Sequence, residues 1–192
     1  MENYYLPGAI KQFEYYKLLG DKTFDQIPDD KLFWQCNTDG NSVATIVKHL
    51  CGNMLSRWTD FLITDGEKSW RNRDAEFEND LANRDEIMQK WNHGWNVFLT
   101  TLRSLTEDDL QKIIYIRNEG HTVLEAINRQ LAHYPYHVGQ IVFIGKMFAE
   151  NWESLSIPKG TSKQFNEAKF SEPKENPPFR DELLNRSNKD AI

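Results

Sequence analysis

The segment LAHYPYHVGQIV contains two histidines four residues apart, His133 and His137. The apolar residues around them predict a helix, and side chains four apart on a helix share one face with Cβ atoms about 5–6 Å apart. Two imidazoles at that separation can bind one metal ion. The same pair also fits two helical histidines without a common role. A metal site therefore requires a third ligand from elsewhere in the chain.

Three further histidines could supply that ligand: His49, His93 and His121. His121 precedes His133 by twelve residues, and that separation spans about 18 Å along a helix axis, too far for a common ion. His93 points away from the apolar stripe of its own predicted helix, so we expect it to face water. His49 is the remaining candidate.

His49 lies in a row of small polar residues beside the apolar stripe of its predicted helix. The row consists of Ser42, Thr45, Asn53, Ser56 and Asp60. A solvent-facing row usually carries Lys and Glu, so this composition is typical of the wall of a narrow polar cleft. Gln130 and Gln140 form a similar polar margin beside the histidine pair. The sequence thus predicts that His49, His133 and His137 surround one ion and leave its fourth coordination position open, as in catalytic zinc sites.

Four amphipathic helices are expected to position these residues, because apolar side chains recur every three or four residues between recognisable caps and breakers. Their approximate bounds are residues 8–27, 42–64, 84–105 and 122–148. We expect a long exposed connection over residues 66–83 and a brief strand at residues 113–116. The economical all-α architecture for such a chain is an antiparallel four-helix bundle, in which ligand sites form between facing helices.

The length of 192 residues fits one domain. We expect a C-terminal tail that lies on the surface or is partly disordered. The reason is that the chain after Asn151 has few apolar residues and holds four of the seven prolines.

The composition disfavours several classes of partner. A net charge of -6 and a pI near 5.4 argue against a nucleic-acid partner. The sequence has neither an apolar run of about 18 residues nor the pattern of a secretory leader, so we expect a cytoplasmic protein without a membrane partner. Cys36 and Cys51 are too few for a disulfide framework and are expected to be reduced thiols.

Four stretches of the chain carry a family resemblance: NSVATIVKHLCGNMLSRWTDFLITDGEK, RNRDAEFE, TVLEAINRQLAHYPYHVGQIVFIGK and LSIPKGTSKQFN. Together they resemble the DinB-like superfamily, and within it a branch labelled as a domain of unknown function that is similar to the YfiT-like metalloenzymes. The likeness extends from the first helix to about Asn166. It implies one helical bundle domain over residues 1–166, followed by a surface or partly disordered tail over residues 167–192. It implies a four-helix bundle, usually dimeric, whose divalent metal is held at positions corresponding to His49, His133 and His137. Zinc is the favoured ion, with nickel, cobalt, iron or manganese as alternatives.

The resemblance also implies a class of chemistry. Relatives with known activity are metal-dependent transferases that use low-molecular-weight thiols such as bacillithiol, mycothiol or glutathione, and others are hydrolases. The residues between the two histidines are Tyr134, Pro135 and Tyr136, so the segment lacks the Glu that serves as general base in H-E-x-x-H hydrolases. We therefore favour thiol transfer to a small-molecule substrate over hydrolysis. A non-catalytic, stress-associated metal-binding module and a metal-free ligand-binding bundle remain as alternatives.

Several polar residues are candidates for contacts with a substrate. Asn53 and Gln140 could orient a ligand, although an ordinary structural hydrogen bond is the stronger interpretation. Arg57, Arg71 and Arg73 could pair with the carboxylates of a thiol cosubstrate, although solvent exposure is the stronger interpretation.

The segment Ile157 to Asn166 combines a turn former, hydroxyls and a cation. Loops of this kind often cover binding sites, so the segment could close over the cleft as a lid.

Overall fold

The computed structural model describes residues 5–174 of the chain. The α-helices are α1 (Tyr5–Phe24), α2 (Val43–Trp58), α3 (Arg84–Ser104), α4 (Val123–Phe148) and α5 (Ser162–Ser171). Strands β1 (Ile113–Ile116) and β2 (Glu119–Thr122) pair in an antiparallel hairpin. Three short 3-10 helices cover Asp29–Phe33, Asp74–Phe77 and Glu107–Gln111. The described chain is therefore mostly helical, as the sequence predicts.

Side-chain caps fix the starts of α2, α3 and α4. Ser42, Asn83 and Thr122 each accept the backbone N–H of the residue three positions later, at 3.0–3.1 Å. Each bond satisfies one of the N–H groups that the first turn of a helix leaves without a partner. The sequence leaves Asn41 and Ser42 as alternative caps of α2, and the structure selects Ser42.

The four long helices pack pairwise around one apolar core. Helix α2 packs along α3 and α1 along α4, while α1 also contacts α3 and α2 contacts α4. The largest fully buried side chains of this core are aromatic: Phe13, Phe24, Trp58, Trp91, Trp95, Phe98 and Tyr134. Because aromatic residues bury a large apolar area each, a chain with only 39% apolar residues still fills its interior.

Two close approaches between helices depend on glycine. A Cβ atom at Gly20 of α1 would overlap the indole ring of Trp91 on α3. At Gly94 of α3, a Cβ atom would lie 3.0 Å from the Cα atom of Cys51 on α2. Helix α3 therefore approaches α1 and α2 at positions where a larger residue would push the helices apart.

The end of α2 differs from the sequence expectation. The helix was predicted to continue to Thr64, but it ends at Trp58. Asp60 adopts a left-handed backbone conformation with φ of 50°, which an α-helix does not contain. The chain then turns towards the hairpin instead of extending the helix.

The predicted strand at residues 113–116 is confirmed, and its partner β2 was not foreseen. Arg117 and Asn118 connect the two strands with φ values of 56° and 63°. Two consecutive left-handed residues are the signature of a type I′ turn, which matches the twist of a two-residue hairpin.

The connection over residues 66–83 is more structured than predicted. It contains the 3-10 helix Asp74–Phe77, and the side chains of Arg71 and Glu76 are only 2% and 8% exposed. The expectation of a wholly exposed connection is therefore wrong for the middle of this segment.

Helix α5 crosses the boundary predicted between the domain and its tail, and none of its residues is buried. The part of the predicted tail from residue 175 onwards lies outside the described residues. No helix within residues 5–174 has the length and hydropathy needed to cross a membrane.

Candidate functional site

The structure brings three histidines from two helices together. The Nε2 atom of His133 on α4 lies 3.3 Å from Nε2 of His49 on α2 and 3.1 Å from Nε2 of His137. The three potential ligand atoms lie within 4.8 Å of one another, so the group could hold a metal ion. His93 is exposed on α3, as expected, and His121 lies on β2 outside this cluster.

Glu76 holds His49 from the opposite side of the ring. Its Oε2 atom lies 2.9 Å from Nδ1 of His49. Arg71 donates to both carboxylate oxygens, from Nε at 2.7 Å and from Nη2 at 2.9 Å. Burial raises the pKa of Glu76, but the hydrogen bonds from His49 and Arg71 outweigh burial and lower the pKa below its ordinary value. An ionised carboxylate only accepts hydrogen bonds, so Nδ1 of His49 must donate.

In each of the two histidines of α4, the Nδ1 atom also faces a side-chain oxygen, which here belongs to a glutamine. Gln130 Oε1 lies 3.2 Å from Nδ1 of His133, and Gln140 Oε1 lies 3.1 Å from Nδ1 of His137. When Nδ1 donates its hydrogen to an oxygen, Nε2 keeps a free lone pair. Oxygen partners of this kind are typical of histidines that ligate metals, because they fix the ring orientation and the tautomer.

The protonation state of the two histidines on α4 also suits metal ligation. Burial, reinforced by the charges of neighbouring groups, lowers the pKa of His133 to about 3 and that of His137 to about 4. Both rings are therefore neutral at pH 7 and able to coordinate. Without a cation, the Nε2 lone pairs would face one another at 3.1–3.3 Å, and a positive ion among them would turn this repulsion into attraction. The residues present thus fit a divalent metal ion.

A polar cavity of about 240 Å³ opens beside His49 and His133. Its wall contains Asn53, Gln130 and five arginines: Arg57, Arg71, Arg73, Arg117 and Arg129. The sequence favoured solvent exposure for Arg57, Arg71 and Arg73. That expectation is wrong for the first two. Arg57 is 6% exposed and the Arg71 side chain 2%, whereas Arg73 is exposed.

Residues 65–67 connect the end of α2 to the hairpin through hydrogen bonds and ion pairs. Two of the arginines in the cavity wall take part in these contacts. Asp65 accepts the backbone N–H groups of Arg117 and Asn118 at 2.9 and 2.8 Å. Glu67 Oε2 accepts Arg57 Nη1 at 3.1 Å and Arg117 Nε at 3.1 Å. The Arg57 side chain also donates to the carbonyl oxygen of Gly66.

Asn53 contributes to the core as well as to the cavity wall. The Tyr134 hydroxyl donates to Asn53 Oδ1 at 3.0 Å and accepts from Trp58 Nε1 at 3.0 Å. All three side chains are buried. The structural hydrogen bond that the sequence favoured for Asn53 is therefore present, and so is the one favoured for Gln140, which supports His137.

Gln140 also lines a second, apolar cavity of about 500 Å³. Its wall includes Trp34, Ile46, Tyr136, Phe143 and Met147. The segment 157–166, considered as a lid, contributes no residue to the lining of either cavity.

Sequence reasoning missed Glu76 as a functional residue. It lies 27 residues after His49, in a charged stretch without periodicity. The alternation of Arg and acidic residues in RNRDAEFE was a signal that a buried ion pair could form there.

Comparison with known proteins gives one family. The family model described as "Protein of unknown function (DUF1572)" matches residues 1–161, a range that includes all three clustered histidines and Glu76. No curated protein and no solved structure matches the chain significantly. Because the matched range covers most of the chain, the protein belongs to the DUF1572 family of proteins of unknown function.

Proposed function

We propose that His49, His133 and His137 bind one divalent metal ion, preferably zinc, through their Nε2 atoms and leave one coordination position for a small molecule. One observation carries this proposal: three Nε2 atoms converge while each Nδ1 faces a side-chain oxygen. Three protein ligands and an open position are the arrangement of catalytic zinc sites. The polar cavity beside His49 and His133 supplies space for the fourth ligand.

The proposed architecture is a DinB-like antiparallel four-helix bundle that forms a homodimer. The pairwise packing of α1 to α4 supports the bundle. In such bundles, metal sites are built from side chains of facing helices, as here from α2 and α4.

The proposed reaction is transfer of a low-molecular-weight thiol to an electrophile. A divalent ion with an open position lowers the pKa of a bound thiol or water and so supplies a nucleophile at neutral pH. In the transfer, the sulfur forms a bond to the electrophilic carbon, the leaving group departs with the bonding electron pair, and the thiol proton passes to solvent.

The residues around the cluster favour thiol transfer over hydrolysis. Hydrolysis usually requires a free general base near the nucleophilic water. The carboxylate that contacts the cluster is Glu76, and both its oxygens are engaged by His49 and Arg71. A thiol whose pKa is already lowered needs no such base. Glu76 therefore acts as a positioning residue for His49.

Equilibrium dialysis against zinc chloride followed by metal analysis tests the metal site. We expect one zinc ion per chain in the wild type and its loss in the His49→Ala variant. The matched control is His93→Ala, which removes an exposed imidazole from α3 and should retain the ion. Retention of zinc by His49→Ala, or equal loss in both variants, would contradict the proposal.

A panel of cellular thiols with a generic electrophile tests the reaction. We expect the zinc-loaded protein to accelerate conjugation with at least one thiol, and the His49→Ala variant to lose the acceleration. If zinc binds but no thiol reacts faster, transfer is wrong, and the ion is best explained as a structural link between α2 and α4.

A further inference from the structure

Five guanidinium groups surround the polar cavity of a protein whose net charge is -6. Its described lining includes no Asp or Glu residue. Two carboxylates just behind the wall, Glu67 and Glu76, pair with some of the arginines. They are fewer than the five arginines, so an excess of positive charge faces the cavity.

Three of the arginines are held in a fixed network. Arg57, Arg71 and Arg117 all lie within ion-pair distance of Glu67, at 3.1, 3.7 and 3.1 Å. Arg71 is also paired with Glu76 at 2.7 Å. Through these ion pairs, the three arginines link α2, the 66–83 connection and the hairpin.

The other two arginines have no such partner. Among the described residues, neither Arg73 nor Arg129 has a carboxylate within 4.0 Å, although both line the cavity. The Arg73 guanidinium lies over the ring of Phe77, 5.4 Å from its centroid. That ring stacks on His49 at 5.1 Å with an interplanar angle of 27°. Arg73 is thus positioned beside the histidine cluster.

Arg129 reaches the same cavity from α4. It precedes His133 by four residues, so the two side chains lie on one face of the helix. Its neighbour Gln130 also lines the cavity and supports His133. The two unpaired guanidinium groups therefore flank the cluster from two different elements.

We propose that Arg73 and Arg129 bind an anionic group of the substrate, a carboxylate or a phosphate, next to the open coordination position. Planar guanidinium groups donate paired hydrogen bonds that match either oxyanion. A cavity of about 240 Å³ admits a small anionic group. The identification of this anion as part of a substrate rests on the proposed metal-dependent function.

Isothermal titration calorimetry at low ionic strength tests the proposal with two probes, succinate and inorganic phosphate. Both are titrated into zinc-loaded wild type, Arg73→Gln, Arg129→Gln and the double variant. Each lost arginine should weaken binding of the preferred anion about tenfold, which corresponds to about 1.4 kcal/mol. Whichever probe binds more tightly identifies the preferred oxyanion.

The matched control is Arg103→Gln, an equal charge change at a 54% exposed side chain of α3 that pairs with Glu14. It should bind the anion as the wild type does. Thermal unfolding of each variant checks that it is folded, which we expect because Arg73 and Arg129 are exposed.

Zinc content measured on the same samples separates the two proposals. If the wild type holds zinc but binds neither anion, or if the double variant binds as tightly as the wild type, the anion site is wrong and the metal site stands. If zinc is not retained but anion binding still depends on Arg73 and Arg129, the anion site stands and the metal proposal fails.

Discussion

Glu76 is the residue on which the geometry of His49 depends. Its carboxylate is buried, ionised and held at both oxygens, so it presents a fixed acceptor to Nδ1 of His49. A fixed acceptor selects one tautomer of the ring and directs the free lone pair of Nε2 towards His133. The negative charge also favours a cation on the other side of the imidazole.

Substitution of Glu76 by Ala should weaken zinc binding about 10–100-fold, the usual cost of losing an oxygen partner behind a ligating histidine. Competition with a chelator of known affinity measures the change. The exposed neighbour Glu78 provides the control, since Glu78→Ala removes the same side chain without touching His49. Equal affinities for the two variants would refute the positioning role of Glu76.

The Tyr134 hydroxyl joins the core to the cavity wall. Tyr134→Phe would leave the buried N–H group of Trp58 and the oxygen of Asn53 without their partner. The free energy of unfolding should fall by about 1–3 kcal/mol, the usual cost of an unsatisfied buried polar group. Urea denaturation measures it. Tyr136→Phe is the control, because that side chain is 62% exposed and its loss should change stability by less than about 0.5 kcal/mol.

At the residue scale, the sequence predicted the histidines because their spacing and polar rows follow helical periodicity. In the row of His49, Ser42, Thr45 and Ser56 are buried, but only Asn53 lines the polar cavity and Asp60 is exposed. Glu76 could not be found in this way. It pairs with Arg71 inside a segment that lacks periodicity, and only the folded chain packs that segment against His49 of α2.

Helix α1 meets α3 at Gly20, and this contact sets the distance between two long elements. The indole of Trp91 is held there, since its Nε1 donates to Asp21 Oδ1 at 2.7 Å. A side chain at position 20 would overlap this ring.

Gly20→Ala should therefore lower the free energy of unfolding by about 1 kcal/mol or more. Overpacking costs about 1–3 kcal/mol, whereas the gain in helix propensity is about 0.5–1 kcal/mol. Gly8→Ala is the control within the same helix, because no heavy atom lies within 4 Å of its Cβ position. Urea denaturation of both variants measures the difference, and equal effects would show that the contact is not tight.

The 3-10 helix Glu107–Gln111 carries its own pH dependence through Asp109. The Lys112 ammonium, together with the N–H and hydroxyl groups of Thr106, lowers the pKa of Asp109 from 3.8 to about 2. A lowered carboxyl pKa stabilises the folded state above the unfolded pKa, and this stabilisation is lost as the pH falls through the folded pKa.

The stability difference between wild type and Asp109→Asn should therefore be constant above about pH 5 and shrink between about pH 4 and pH 2. Urea denaturation at a series of pH values measures it. Asp108→Asn, the same change at the exposed neighbouring position, is the matched control. A difference for Asp109→Asn that persists down to pH 2 would contradict the lowered pKa.

At the element scale, periodicity and caps predicted the central parts of the four long helices. The end of α2, strand β2 and helix α5 could not be predicted from local sequence patterns. The end of α2 depends on the backbone of Asp60, which no local pattern indicates. Strand β2 reads EGHT, without the alternation of a half-buried strand, and forms because it pairs with β1. Helix α5 buries no residue, so its sequence has no apolar stripe from which a helix could be predicted.

At the scale of the whole molecule, the cluster lies where separate parts of the chain meet. Helices α2 and α4 supply the histidines, the 66–83 connection supplies Glu76, and the hairpin supplies Arg117. An ion bound there would join elements that are distant in sequence. Positive charge is concentrated at this point of an otherwise acidic protein.

We propose that three imidazoles bind one ion whose fourth position is open to a small molecule. Zinc K-edge X-ray absorption of the zinc-loaded protein tests it directly. We predict three imidazole nitrogens at about 2.0–2.1 Å and one exchangeable light atom, which a sulfur at about 2.3 Å replaces when thiol is added. Four protein ligands, fewer than three imidazoles, or a spectrum unchanged by every thiol tried would contradict the account.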